Sequence, residues 1–439
     1  MTPIHGTYHL LPQATCPHCW GVFPSTDALA VACHEDLRGD HKAGTDEMMR
    51  FLPSRFAIDG TPIDAQGLSC PELACPHCHL KIPEAALIDP ALVVSVLGSP
   101  SCGKSFFLTA FTYAARQQFP NSFGMLFSDA DPAANSAHAE NERSLFLSDD
   151  PDRVTPLGNL IRKTQLNGNL YSSVSYGSHS VQYARPLMFS LRTMPQHPGH
   201  RKSLDRLIAL YDNAGEHFRP GADSANAPVT RHITQAAFQL FLFDPTMDPR
   251  FRQRHNLVVP TSGGNERQET ILAEVATRYR RLKGLPPAAQ TDTPLMVVLT
   301  KSDTWSHLAP NAVNGTPLLK TSNDLVALDR NAVQSRSDEL RKLIFEACPD
   351  VVRAAEAYSS RVTYFAVSVL GTKIEAVNVD GVLRGAAKPR DLRPQGVLVP
   401  FLYGLRQSVP ELVLTAAVKP KENGTPTQPG PAERKSKAK

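Results

Sequence analysis

The sequence predicts an α/β fold built on a doubly wound, mostly parallel sheet with helices on both faces. Apolar runs typical of buried strands recur along the chain, and helical segments separate several of them. Polar motifs follow some of these runs directly. Because ligands of doubly wound sheets bind at the carboxyl ends of the strands, function is expected at these motifs.

The bulk composition allows one large domain beside a smaller one, or two to three ordinary domains, in a chain of 439 residues. The net charge of +4 is small for this length, so no extended nucleic-acid-binding or membrane-binding surface is expected. No apolar run approaches the ~18 residues of a membrane-spanning helix, and the N-terminus lacks the pattern of a secretory signal. These features favour a cytoplasmic protein.

The first motif joins a predicted strand to a predicted helix. The apolar run 91–97 precedes a G-x-x-x-x-G-K-S sequence, and a helical segment extends from there to about Gln118. This is the phosphate-binding loop in its strand–loop–helix context, in which glycines let backbone N–H groups turn toward phosphate oxygens. Lys104 would reach the β- and γ-phosphates, and the Ser105 hydroxyl would ligate Mg²⁺. The predicted phosphate-binding residues are Gly98, Ser101, Cys102, Gly103, Lys104, Ser105 and Phe106.

Two Cys-x-x-Cys motifs predict a structural zinc site near the N-terminus. Cys16-Pro17-His18-Cys19 and Cys75-Pro76-His77-Cys78 are nearly identical, and four thiolates in two tight turns complete a tetrahedral Zn²⁺ site. The predicted ligands are Cys16, Cys19, Cys75 and Cys78. We predict a zinc-ribbon-like module over residues 1–90, in which residues 20–74 form an insertion.

Other residues of this module leave alternatives open. Cys33, His34 and Cys70 lie in the insertion and could form a second metal site or substitute as ligands. The histidines in and beside the two turns are expected to be bystanders. Because Lys and Arg are scattered and balanced by acidic residues, we predict a structural or protein-docking role for the module rather than nucleic-acid binding.

The second motif, Asp212-Asn213-Ala214-Gly215, follows the apolar run 204–211. An aspartate at the carboxyl end of a buried strand lies where Mg²⁺ on the phosphates would be. Short D-x-x-G sequences are common by chance, but this one follows a strand and lies downstream of the phosphate loop. We therefore predict Asp212 as a Mg²⁺ ligand and Gly215 as a contact of the γ-phosphate.

The third motif, Thr300-Lys301-Ser302-Asp303, follows the apolar run 295–299 and predicts recognition of guanine. Its carboxylate can accept hydrogen bonds from the ring N–H and the exocyclic amine of guanine, donors that adenine lacks there. The lysine stem would lie along the face of the base. A last apolar run, 362–367, leads to Ser368 and Val369, where a backbone N–H near Ser368 could meet the guanine carbonyl oxygen.

Taken in order, these motifs resemble the first, third, fourth and fifth signature motifs of P-loop GTPases. More narrowly, the chain resembles bacterial GTPases of the translation-factor-related class with an N-terminal zinc ribbon, including the double-GTPase families of prokaryotic conflict or signalling systems. The resemblance implies a GTPase domain over residues 91–417 that binds GTP or GDP with Mg²⁺ and hydrolyses GTP as a switch. It also implies a protein partner, either a second GTPase or an activator.

Two site residues depart from the usual pattern of this family. Thr300 stands where an asparagine normally braces the phosphate loop, so weaker nucleotide binding is expected. Glu216 stands where Ras-like enzymes have the glutamine that orients the attacking water. Glu216 or the adjacent His217 could take this catalytic role, and hydrolysis could be slow without a partner.

The threonine that closes over Mg²⁺ in this family is not evident. Thr164 is the candidate, as a catalytic residue and Mg²⁺ ligand, because it lies in a polar segment where a switch loop is expected; Thr155 is the alternative. More than a hundred residues separate Ser105 from Asp212, so the switch region carries a large insertion.

Rival functions stay open from the residues alone. The chain could be a nucleotide-binding scaffold with little intrinsic hydrolysis that docks protein or nucleic acid through its zinc module, or it could be an ATPase. Residues 418–439, rich in Lys, Pro and Gly, predict a disordered basic tail.

Overall fold

The computed structural model of the chain describes residues 9–161, 171–212, 231–257, 267–372, 374–379 and 381–416. Four predicted site residues lie outside this part: Thr164, Gly215, Glu216 and His217. The predicted tail, residues 418–439, also lies outside it. Within the described ranges, no helix combines the length and the apolar character needed to cross a membrane.

The N-terminal part of the chain folds into short strands around the two Cys-x-x-Cys turns. Its elements are β1 (Gln13–Thr15), β2 (Val22–Pro24), β3 (Leu29–Val31), β4 (Arg38–Asp40), β5 (Gly44–Met48), β6 (Arg50–Phe51), β7 (Leu73–Ala74), β8 (Lys81–Ile82) and helix α1 (Ala85–Ile88). β1 pairs with β2 and β4 with β5, while β6, β3, β7 and β8 form one antiparallel sheet in that order. Such short strands bury little apolar surface, and small modules of this kind often depend on a bound metal.

The rest of the chain alternates strands and helices. The first half contains β9 (Ala91–Gly98), α2 (Lys104–Gln118), β10 (Met125–Asp129), α3 (Ser136–Phe146), β11 (Thr155–Pro156), α4 (Leu157–Leu160), β12 (Tyr171–Tyr176), β13 (His179–Ala184), β14 (Leu187–Thr193) and β15 (Arg206–Asp212). The second half contains β16 (Phe238–Phe243), α5 (Pro249–His255), α6 (Gln268–Lys283), β17 (Leu295–Leu299), α7 (Ser302–Trp305), α8 (Pro310–Val313), β18 (Leu318–Lys320), β19 (Val326–Leu328), α9 (Arg330–Ala347), α10 (Pro349–Tyr358), β20 (Val362–Ala366), β21 (Glu375–Val379), β22 (Val382–Ala387) and α11 (Val399–Ser408).

A mixed, mostly parallel sheet forms the centre of the described chain. Its seven described strands lie in the order β10-β14-β15-β9-β16-β17-β20. β9 pairs in parallel with β15 on one side and with β16 on the other, and β17 and β20 continue the parallel arrangement. β14 runs against its neighbours β10 and β15. Because the chain builds one side of β9 first and then the other, the sheet is doubly wound about β9, and the predicted fold class is confirmed.

Helices cover both faces of this sheet. On one face, α2 and α11 pack together with Val96 of β9, and the rings of Phe111 and Phe401 lie 4.4 Å apart between centroids. On the other face, α6, α9 and α10 pack with Leu97, the next residue of β9. Adjacent residues of a strand point to opposite faces, so β9 is buried on both sides and its end lies inside the molecule.

Two predicted elements differ from the structure. The sequence predicts one strand over 181–192, whereas the chain forms β13 and β14 with a break at Pro186, which has no N–H for pairing. β13 instead closes a hairpin with β12. The C-terminal helix is predicted over 397–405 and 407–414, with breaks near Pro400 and Pro410. In the structure α11 is unbroken from Val399 to Ser408 and ends before Pro410, and Pro400 lies in its first turn, where no N–H is required.

The N-terminal module packs on the central sheet through its apolar side. Cys16, Phe23 and Ile82 of the module share one buried cluster with Met188 of β14 and Leu207 of β15. The division of the chain at residue 90 therefore stays a prediction.

Candidate nucleotide and metal sites

The loop between β9 and α2 has the backbone shape that its glycines predict. Gly98 has a φ of +147°, and a Cβ added there would lie 2.7 Å from Leu242 O. Ser101 and Gly103 also have positive φ values, of 64° and 98°, which turn the chain back into α2. The first turn of this 15-residue helix therefore begins at the loop, and its partial positive charge favours an anion there.

Lys104 lies folded over this loop. Its Nζ donates to Gly98 O and to Ser99 O, both over 2.9 Å, and the side chain is buried. Cys102 lies beneath the loop with its thiol buried, and burial raises the pKa of that thiol. The loop thus has the Lys104 ammonium over its backbone and the buried, uncharged thiol of Cys102 beneath it.

The two residues predicted to hold Mg²⁺ lie side by side. β15 pairs with β9 so that Asp212 is opposite Val96, and Ser105 Oγ donates to Asp212 Oδ2 over 3.3 Å. Two oxygens that share an octahedral Mg²⁺ at about 2.1 Å lie about 3.0 Å apart, so this pair fits the ion with little movement.

Thr300 braces the phosphate loop from the end of β17. Its Oγ1 donates to Cys102 O over 3.1 Å, and its own carbonyl accepts a hydrogen bond from Trp305 Nε1 over 3.0 Å. The threonine therefore contacts the loop even though it replaces the asparagine usual in the resembling family. The weaker nucleotide binding expected from this replacement stays a prediction.

The base motif is held by a buried serine. Asp303 is exposed, and its Oδ1 accepts a hydrogen bond from Ser368 Oγ, which in turn accepts one from Gly371 N over 2.9 Å. The backbone N–H of Ser368 donates to Gln395 O over 3.0 Å, and Val369 is buried. The N–H of Ser368 is thus already hydrogen-bonded to the protein's own backbone. The Ser368 side chain orients the Asp303 carboxylate.

Lys301 forms an ion pair that the sequence reasoning missed. Its Nζ lies 2.5 Å from Asp244 Oδ2, and Asp244 is fully buried at the end of β16. Gln268, the first residue of α6, donates to Asp244 O over 2.8 Å and accepts from Asp244 N and from Ser99 Oγ, over 3.0 and 3.3 Å. This network connects the base motif with the phosphate loop.

The four predicted zinc ligands converge. Cys16 Sγ lies 3.7 Å from Cys78 Sγ, Cys19 Sγ lies 3.8 Å from Cys75 Sγ, and all four sulfurs lie within 4.8 Å of one another. Thiolates at about 2.3 Å from a tetrahedral Zn²⁺ lie about 3.8 Å apart, so these residues, the four-cysteine cluster, fit that ion. Burial raises the pKa of Cys16, and a bound cation would stabilise the thiolate form.

Histidines of the two turns that carry the four-cysteine cluster form hydrogen bonds between the turns. His18 Nε2 lies 2.9 Å from Lys81 O, beside the second turn, and His77 Nε2 lies 3.2 Å from Val22 O, beside the first. His79 Nδ1 lies 2.9 Å from the Asp40 carboxylate. The histidines therefore fasten the turns and lie outside the sulfur set.

No second cysteine-containing metal cluster occurs among the described residues. The backbone N–H groups of Cys33 and His34 and the Cys70 thiol all donate to Asp64 Oδ2, at 3.1, 3.1 and 3.6 Å. A different group, Asp40, His41 and His79, comes close enough to share an ion. The Asp40 carboxylate already accepts hydrogen bonds from three backbone N–H groups, besides its contact with His79. These bonds account for the burial of Asp40 without a metal.

Thr155, the alternative switch residue, pairs with Ala387 in the β11–β22 ladder. Its Oγ1 donates to Arg153 O over 3.2 Å. The structure therefore gives Thr155 a local partner, and the candidate Thr164 stays a prediction outside the described ranges.

No family model and no curated protein matches the sequence. Solved structures similar to the chain include Sup35 complexed with GDP (TM-score 0.22) and with GMPPNP (0.23), and the GTPase-like domain of S. cerevisiae Ski7 bound to GTP (0.21). Each is 12% identical and covers 64% of this chain, and the match spans 38%, 38% and 43% of those chains, less than half of each. These similarities are distant, and the function proposed below rests on the chain's own residues.

Proposed function

We propose that this protein binds GTP with Mg²⁺ at the carboxyl edge of its central sheet and hydrolyses it as a nucleotide-dependent switch. The observation that supports this most is the hydrogen bond from Thr300 Oγ1 to Cys102 O, 3.1 Å long. It joins a predicted base motif to a predicted phosphate loop across 198 residues of sequence. Two short sequence patterns that matched by chance would not be expected to lie in contact in the folded protein.

The phosphate side of the site is built from the loop and the start of α2. The Lys104 ammonium lies over the loop and would exchange its two carbonyl partners for oxygens of the β- and γ-phosphates. Backbone N–H groups of the loop would bind the remaining oxygens. Ser105 and Asp212 would hold Mg²⁺, which neutralises charge on the β- and γ-phosphates when it is bound.

The base side of the site selects guanine. Asp303, oriented by Ser368, would accept hydrogen bonds from the ring N–H and the exocyclic amine of guanine. Adenine would leave this carboxylate without those donors, which costs affinity. The Lys301 stem would lie along the face of the base, with its ammonium paired to Asp244.

Hydrolysis and switching depend on residues outside the described ranges. In the proposal, Glu216 or His217 orients the attacking water, Gly215 approaches the γ-phosphate, and Thr164 completes the Mg²⁺ site. The protein positions the reactants and stabilises charge without covalent chemistry. A protein partner, either a second GTPase or an activator, would raise a slow intrinsic rate.

The four-cysteine cluster is proposed to bind structural Zn²⁺. The sulfur spacing supports this, since it matches the distance between two thiolate ligands of a tetrahedral Zn²⁺. The metal would stabilise a module whose strands are short, and the module could dock a partner protein.

A titration with fluorescent GTP and ATP tests the binding proposal. We expect GTP to bind at least about 100-fold more tightly than ATP and Mg²⁺ to strengthen GTP binding. Lys104→Ala should abolish binding, whereas Lys283→Ala, at an exposed lysine in the last turn of α6, should not. Equal affinity for both nucleotides would favour an ATPase and contradict the base assignment.

Multiple-turnover phosphate release separates an enzyme from a nucleotide-binding scaffold. The wild-type protein should release phosphate from GTP faster than Lys104→Ala measured under the same conditions. A rate equal to that of Lys104→Ala, with GTP binding intact in the wild type, would leave the scaffold as the function.

A further inference from the structure

Tyr211 links the four-cysteine cluster to the strand that carries Asp212. It is the penultimate residue of β15, and its side chain is fully buried. Adjacent side chains of a strand point to opposite faces, so Tyr211 lies on the face away from Asp212. On that face it packs in one cluster with Trp20 of the N-terminal module.

The first Cys-x-x-Cys turn holds the hydroxyl of Tyr211 by two hydrogen bonds. The hydroxyl donates to Pro17 O and accepts from Trp20 Nε1, the latter over 3.0 Å. Pro17 follows Cys16, and Trp20 follows Cys19, so each contact lies next to a member of the four-cysteine cluster.

Among the residues that the structure describes, the end of β15 has a paired strand on one side only, so a further contact there would stabilise it. β14 pairs with β15 from Arg206 to Leu210, whereas β9 pairs with it as far as Asp212. Beyond β14, the ring of Tyr211 is stacked on His232, with 4.6 Å between centroids and 4° between planes. A strand end with a one-sided ladder opens more readily than the middle of a sheet.

We propose that Tyr211 is a positioning residue through which the zinc-loaded turn fixes Asp212 beside Ser105, so that Zn²⁺ in the four-cysteine cluster strengthens Mg²⁺-dependent nucleotide binding. The inference rests on the proposed function, since it concerns the Mg²⁺ side of that site. Loss of Zn²⁺ releases the turn that holds the phenol. The strand end then shifts, and the 3.3 Å contact between Ser105 and Asp212 is lost. Mg²⁺ is sensitive to such a shift because it demands near-ideal octahedral geometry.

Tyr211→Phe tests this role in the full-length, zinc-loaded protein, because it removes the hydroxyl and keeps the ring. The affinity for fluorescent GTP is measured with saturating Mg²⁺ and in Mg²⁺-free buffer. We expect the gain in affinity from Mg²⁺ to fall about tenfold and the Mg²⁺-free affinity to stay unchanged.

Tyr358→Phe is the matched control. Tyr358 is also buried, and its hydroxyl donates to a buried side chain, Gln239 Oε1, over 2.9 Å. This variant should lose a similar amount of thermal stability and keep the full gain from Mg²⁺. A purely structural role for Tyr211 would make the two variants behave alike.

Hydrogen exchange of residues 206–212 gives a second readout that needs no nucleotide. Tyr211→Phe and removal of Zn²⁺ from the wild-type protein should each speed exchange there. Applied together, the two changes should act no more strongly than either alone, because both break the same link.

Three outcomes would overturn the inference: an unchanged Mg²⁺ gain in Tyr211→Phe, equal losses with and without Mg²⁺, or unchanged exchange in both zinc-free and variant protein. Failure of the proposed function has a different signature. In that case the wild-type protein binds no GTP, which also removes the Mg²⁺ part of the inference, while the exchange still reports the link between the turn and β15.

Discussion

Thr300→Val removes the hydroxyl that joins the phosphate loop to the base motif and keeps the shape of the side chain. Thr300 is buried, and its Oγ1 donates to Cys102 O over 3.1 Å. Losing this bond and leaving a buried carbonyl without that donor costs about 1–3 kcal/mol. That free energy corresponds to about 5- to 150-fold in an equilibrium constant. Because the same loop would bind the phosphates, we expect most of this loss to appear as weaker GTP binding.

The assay is a fluorescent-GTP titration beside a thermal unfolding curve. Thr291→Val is the matched control, since Thr291 is 3% exposed, its Oγ1 donates to Tyr279 OH over 2.8 Å, and it precedes β17, away from the carboxyl edge. The control should lose stability and bind GTP like the wild type. If Thr300→Val also binds GTP like the wild type, the reasoning about the brace is refuted.

Three further predictions concern the loop, the metal and a buried histidine. Gly98→Ala should abolish GTP binding in a calorimetric titration, because the added Cβ would lie 2.7 Å from Leu242 O. Cys78→Ser should lower the zinc content measured by elemental analysis, and the melting temperature, because three thiolates do not complete the site. In His138→Gln, the free energy of unfolding measured by denaturant melts should fall less steeply between pH 6.5 and about 4 than in the wild type. The reason is that burial, and secondarily the charge of Arg116, lowers the pKa of His138 from 6.5 to about 4. At this residue the folded state therefore binds fewer protons than the unfolded state, so His138 alone contributes a loss of about 3 kcal/mol as the pH falls through this window.

Each of these predictions has a control or an opposing result. Gly158→Ala, at a glycine with open space around it, should bind GTP normally. Cys33→Ser, at an exposed cysteine, should keep its zinc. Normal affinity in Gly98→Ala, full zinc content in Cys78→Ser, or an unchanged pH slope in His138→Gln would contradict the corresponding prediction.

The fold could be predicted from its apolar runs, and the motifs could be recognised because their proposed chemistry requires particular residue types at short spacing. The apolar run 295–299 coincides with β17, and the run 91–97 with all but the last residue of β9. The neighbourhood of Ser105 and Asp212 also follows from the sequence, since a doubly wound sheet brings the ends of adjacent parallel strands together.

The supporting contacts could not be predicted in the same way. Gln268 lies 24 residues after Asp244, and a glutamine at the start of a helix carries no signal of its own. Asp244 follows an apolar run, as Asp212 does, and this position is a sequence signal for a site residue. No recognisable motif surrounds Asp244, however, so its role could not be predicted. Trp20 and Tyr211 are separated by 191 residues, so their contact exists only once the module has packed on the sheet.

Ser368 shows how the contacts of a predicted site residue depend on the rest of the chain. The sequence predicts that a backbone N–H near Ser368 meets the base. In the structure the N–H of Ser368 itself donates to Gln395 O, in a later part of the chain, and the Ser368 hydroxyl donates to Asp303. A base contact by a neighbouring N–H stays a prediction. Hydrogen-bond partners of a loop depend on which distant segment covers it, and one sequence does not reveal that.

Exchange of base specificity by Asp303→Asn tests the central claim, that this site recognises GTP, most directly. Xanthine carries a carbonyl where guanine carries its exocyclic amine, so an asparagine can donate where the aspartate accepted. We expect GTP to bind at least about 100-fold more weakly, because the exocyclic amine of guanine loses its acceptor and the bond left to the ring N–H is no longer to a charged group. XTP should bind more tightly, because its carbonyl gains the amide N–H as a donor. Asp292→Asn, at an exposed aspartate just before β17, should leave both affinities unchanged. Unchanged GTP affinity in Asp303→Asn would contradict the account.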